Sequence, residues 1–216
     1  MGLFSKKKTK SVSPEGKLKN MSFYLRENQL TNIKELLNLK NLHPQENALV
    51  DKTGSEFSVA GIKLSQITPE LLLEKLGTPS FVLENQENIP GHKVYYFRAH
   101  ADLNRLLIQF HFIHDHFFFA SNKISATGIT LSDHDKKRVL NKIFQKYAIN
   151  RTAEDNLIVY LTDSKGNRLF TSDDVHFYLH YAIPAQQLNE IIKQVKSDIP
   201  TEEEHDKFDQ TLDQYL

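Results

Sequence analysis

The chain has 216 residues, 39% of them hydrophobic and 25% charged, with 27 Lys+Arg balanced by 27 Asp+Glu. That length suits one large domain or two small ones, and zero net charge gives no global attraction to nucleic acid. The lack of cysteine excludes disulfides, thiol catalysis, thiolate zinc sites and a lipidated N-terminal cysteine.

No apolar run reaches the ~20 residues of a membrane helix. No hydrophobic segment follows the lysines of Met1-Gly-Leu-Phe-Ser-Lys-Lys-Lys8, so the sequence reads as cytoplasmic. Residues 1–20 carry Lys6, Lys7, Lys8, Lys10, Lys17 and Lys19 against Glu15, and read as a disordered basic tail. Such a tail invites peripheral contact with an anionic membrane. Structure is expected from about Phe23, with a helix over 27–40 that uses Leu30, Ile33, Leu36 and Leu37 and ends at His43-Pro44. Ala48–Val50 and Glu56–Val59 flank Asp51-Lys-Thr-Gly54, which predicts a hairpin.

Thr68-Pro69 opens a helix as cap and first residue, and Leu76-Gly77-Thr78-Pro79 closes it. Strands over 80–83, 93–98, 105–113 and 116–121 follow as an antiparallel meander, with His114-Asp115 at a hairpin tip. A helix over 133–147 is capped by Ser132 or Asp133, and a hairpin turns at Asp163-Ser-Lys-Gly166. Along 175–183, Phe177, Leu179 and Tyr181 alternate with His176, Tyr178 and His180. Pro184 opens a further helix, and Phe208, Leu212 and Leu216 mark an acidic C-terminal helix or tail over 201–216. The fold class is α+β, predominantly antiparallel sheet packed by amphipathic helices. It can be parsed as two tandem helix-plus-sheet units, 21–130 and 131–200.

The stretch Gly61-Ile-Lys-Leu64, Ile67-Thr-Pro-Glu70, Leu76-Gly-Thr-Pro79, Tyr95-Tyr-Phe97 and Phe112-Ile-His-Asp115 resembles the BamE/SmpA and β-lactamase-inhibitor-like family. The likeness covers about residues 61–121. It implies a short helix packed on an antiparallel sheet that recognises protein without catalysis. The chain lacks that family's export signal and lipid-attachment cysteine, so location and assembly role do not carry over, and no functional residue is transferred.

His111, His114 and His116 are candidate metal ligands, since imidazole and carboxylate can hold zinc or iron. Opposing this, a turn at Asp115 separates His114 from His116, and no fixed-spacing ligand motif is present. The favoured reading is a hairpin whose polar positions are histidine. No nucleophile elbow, phosphate loop or cofactor fingerprint occurs. The leading functional expectation is a non-catalytic protein-interaction module, contacting a protein partner or a second copy through Tyr95, Phe97, His176, Tyr178, His180, Phe208 and Leu212. The alternative is a small-molecule-binding or hydrolytic enzyme using the strand histidines, metal-dependent in one version.

Overall fold

The computed structural model describes residues 14–40, 50–85, 87–101, 104–126, 130–153, 157–173 and 175–198, with backbone alone at 14–20, 40 and 101. Its helices are α1 (Pro14–Glu27), α2 (Ile33–Lys40), α3 (Pro69–Leu76), α4 (Asp133–Lys146) and α5 (Ala185–Ser197). The first strands are β1 (Val50–Lys52), β2 (Ser58–Val59), β3 (Ile62–Lys63), β4 (Phe81–Glu84) and β5 (His92–Ala101). The rest are β6 (Asn104–Ile113), β7 (His116–Ala126), β8 (Tyr160–Thr162), β9 (Arg168–Asp173) and β10 (Phe177–Ala182). Eight strands form one sheet in the order β1-β8-β9-β10-β7-β6-β5-β4, and β2-β3 is a separate hairpin. All pairings are antiparallel except β1 with β8. The fold is thus α+β. Each half runs a helix and then a meander inward from its own side, and the halves meet where β7 pairs β10.

Local chemistry places these elements. Thr68 Oγ1 accepts from Leu71 N at 3.2 Å, Pro69 starts α3, and Gly77 at φ 79° ends it. Ser132 caps α4 by accepting from Asp135 N. His114 and Asp115, at φ 48° and 63°, form the tight β6–β7 turn.

Three expectations shift. The basic segment is helical from Pro14, earlier than expected, because α1 docks Tyr24 against Tyr96 and Phe81; residues 1–13 lie outside the described residues. The helix expected over 27–40 is shorter: α1 ends at Glu27, residues 28–32 are not helical, and α2 begins at Ile33. Asn28 Oδ1 accepts from Leu30 N and its amide donates to Leu30 O, which breaks the ladder, and Asn32 Oδ1 then caps α2 through Glu35 N. The hairpin around Asp51–Gly54 does not form. Residues 50–52 pair in parallel with β8, held by Thr53 N to Thr162 O and by Arg151 on Asp51 at 2.9 Å. The real hairpin turns later, at Ala60-Gly61, where both residues have positive φ.

Helices cover both faces of the sheet. On one, the α1 face, Glu27 grips Lys123 and its carbonyl accepts from Gln109 Nε2. α2 follows from the next loop and packs on α5. On the other, the α3 face, Phe57 packs edge-on against Tyr147 and Tyr181, beneath α4. The larger apolar core includes Phe97, Phe110, Phe118, Phe144, Phe177 and Leu188, and a smaller cluster joins Tyr24 of α1 to Leu83, Val94, Tyr96 and Leu107.

Candidate functional site

The histidines of the α1 face form an interior layer. His92 on β5, His111 on β6 and His180 on β10 are 0%, 0% and 6% exposed. Strand alternation puts them on one side with Phe119, whose ring lies 5.1 Å from His111 and 5.7 Å from His180. Phe118 joins this layer, 5.9 Å from His92, because the β6–β7 register shifts between His111 and Phe112. Hydrogen bonds order the rings. Asn85 Nδ2 donates to His92 Nδ1 at 3.3 Å, so His92 Nε2 carries the proton and donates to His111 Nδ1 at 3.1 Å. His180 Nε2 bonds Ser172 Oγ at 2.9 Å. Burial pushes the pKa of His92 and of His180 down to about 4. Burial, reinforced by the neighbouring imidazoles, pushes His111 well below its ordinary range. These rings are neutral near pH 7 and closed to solvent. They pack as aromatic side chains that also satisfy polar partners.

Two concavities flank the sheet, back to back on β5 and β6, with Ala99 and Leu106 contributing to both. On the α3 face a groove of about 850 Å³ opens between α3, the β2–β3 hairpin and α4. Its floor is Ala99, Leu106, Ile108, Asn122 and Tyr181, and its walls include Ile62, Leu71 and Leu76. Lys75 and Lys146 stand at its margin, the latter bonded to Ser58 Oγ at 2.8 Å. Asn122 Oδ1 is buried in the floor without a hydrogen bond among the described residues. On the α1 face a smaller cleft of about 410 Å³ is lined by Arg98, His100, Arg105, Lys123, Ser125 and His176, with Phe23 beside them.

The sequence-derived candidates scatter. His111 is sealed in the core, whereas His114 lies over Gly91, where a Cβ would run into its ring, and bonds Asp198 Oδ2 at 2.7 Å. His116 starts β7 across the turn. Among the described residues no three His, Cys, Asp or Glu side chains are grouped to hold a metal ion. Phe97 and His180 are buried, so they brace the sheet and offer no contact surface, because alternation sets them under helices. Tyr95 is half-buried, edge-on to Phe112 at 5.5 Å. His176 and Tyr178 remain part-exposed, and His176 enters the smaller cleft. Phe208 and Leu212 lie outside the described residues. Sequence reading missed Arg98 and Arg105, whose only signal was cationic residues on the outward register of paired strands. Among the described residues no helix is long and apolar enough to cross a membrane. No protein-family model, curated protein or solved structure matches this chain.

Proposed function

We propose that this chain is a non-catalytic binding protein whose α3-face groove takes the apolar body of a small organic acid. The observation that carries the reading is the groove of about 850 Å³ between α3, the β2–β3 hairpin and α4, with Ala99, Leu106, Ile108 and Tyr181 at its floor. A concave, mostly apolar site of several hundred Å³ with a few polar groups is the usual form of a small-molecule pocket. Lys75 and Lys146 at the margin favour a ligand with an anionic end. The strand histidines offer less to a hydrolytic reading, since His92, His111 and His180 face the interior. Of the residues first expected to meet a protein partner, Phe97 and His180 are buried while Tyr95, His176 and Tyr178 are part-exposed, and the groove supports the small-molecule reading.

The test is fluorescence titration with 8-anilinonaphthalene-1-sulfonate, an apolar ring system with one negative charge. Saturable binding is expected. Leu71→Trp, on the part-exposed α3 wall, should weaken it about tenfold by filling the groove, while Arg105→Gln on the opposite face should leave it unchanged. Equal binding by Leu71→Trp and the parent, with both folded by circular dichroism, would refute the assignment.

A further inference from the structure

The smaller cleft on the α1 face is built for a different chemistry. Strand register explains its composition. Arg98, Leu107, Lys123 and Tyr178 lie in one row across β5, β6, β7 and β10. His100, Arg105 and Ser125 lie in the next row, and His176 directly precedes Phe177 at the head of β10. Strands sit about 4.8 Å apart and same-face neighbours about 7 Å apart, so six donor-bearing side chains crowd one small patch. Among the described residues no carboxylate lines the cleft, and none pairs with Arg98 or Arg105. Lys123 is the exception, held by both Glu27 oxygens at 2.8 Å. The Arg98 guanidinium lies 4.9 Å from the Phe23 ring centroid and 5.1 Å from that of Tyr24, which fixes its orientation. His176 Nδ1 is buried without a hydrogen bond among the described residues.

Like charges on neighbouring strands repel. Arg98 and Arg105, diagonal to one another, are therefore held in an arrangement that an anion would relieve. Arginine forks match the oxygens of a phosphate, and Ser125 and His176 add neutral donors. Phe23, Leu106 and Leu107 supply an apolar wall for whatever carries the phosphate. We propose that this cleft is a second ligand site, which takes a phosphate monoester on an apolar or aromatic body. It lies on the other face of β5 and β6 from the groove, so Arg105→Gln, which strips this cleft, and Leu71→Trp, which fills the groove, tell the two assignments apart.

The experiment has two arms: calorimetric titration with phenyl phosphate, and sedimentation with phosphatidylcholine vesicles containing phosphatidate. Saturable binding is expected that exceeds inorganic phosphate and weakens about tenfold or more in Arg105→Gln. Arg105 is exposed and holds no carboxylate, so that variant should fold. Arg98→Gln should give a comparable loss, and Lys193→Gln, exposed on α5 away from both concavities, none. A response in the vesicle arm alone assigns the phosphate to a lipid headgroup, and one in solution assigns it to a soluble ester. No saturable binding in either arm, or binding that Arg105→Gln leaves intact, overturns the proposal.

Discussion

Lowering the pH from 6.5 to about 4 is expected to destabilise the protein. In the unfolded chain His92 and His180 take up protons near 6.5, whereas in the folded protein they resist until about 4. Between those values the unfolded state binds more protons, so stability is full above the window, declines as pH falls, and the loss is complete below it. A depression of this size corresponds to about 3 kcal/mol for each ring. Two such losses, with His111 adding in the same direction, rival the ~5–15 kcal/mol that holds a typical domain folded. Urea unfolding at pH 7.0 and near the lower end of that window measures the difference. His180→Phe, which keeps an aromatic ring between Phe119 and Phe170, should flatten the acid limb by about 3 kcal/mol. An unfolding midpoint that does not move across the window would show that these imidazoles are already protonated or solvated in the native state.

Asp163→Ala is expected to cost about 3–5 kcal/mol. This carboxylate is 6% exposed. Its Oδ1 accepts from Lys165 N at 2.8 Å and Asn167 N at 2.9 Å, which shapes the β8–β9 turn. Its Oδ2 accepts from Phe57 N and from Asn167 Nδ2, both at 2.8 Å. Alanine would strand donors on two chain segments 106 residues apart, one of them beside the Phe57 ring under α4. Asp163→Asn keeps one acceptor but turns an amide group toward donors, so an intermediate loss should result. Denaturant midpoints for the three proteins decide the matter, and a loss below about 1 kcal/mol for alanine would mean that water replaces the carboxylate.

What the sequence disclosed follows the range of the forces involved. Caps, turns and alternation act over a few residues. Thr68, Gly77, Ser132, the His114-Asp115 tip and the β10 alternation were accordingly legible one residue at a time. Pairing partners were not. Asp51-Lys-Thr-Gly54 has hairpin chemistry, yet β8 and Arg151, a hundred residues away, compete for that segment and win. The run from Leu30 to Leu37 has helical spacing, but the side-chain bonds of Asn28 and Asn32 hold Leu30 outside the helix, which starts at Ile33. The histidines were visible as residues, while their sealing depends on which face the helices cover. Neither concavity could be read from the chain, because each is lined by residues from elements far apart in sequence. Arg98 and Arg105 become neighbours through the β5–β6 register.

The proposed binding in the α3-face groove is separable from the buried histidine layer, which packs as aromatic side chains. Heteronuclear NMR during titration with 8-anilinonaphthalene-1-sulfonate tests it most directly. Resonances of Ala99, Ile108, Asn122 and Tyr181 are expected to shift together while the His92, His111 and His180 ring signals stay fixed. Shifts centred on those imidazoles, with the groove residues unmoved, would contradict it.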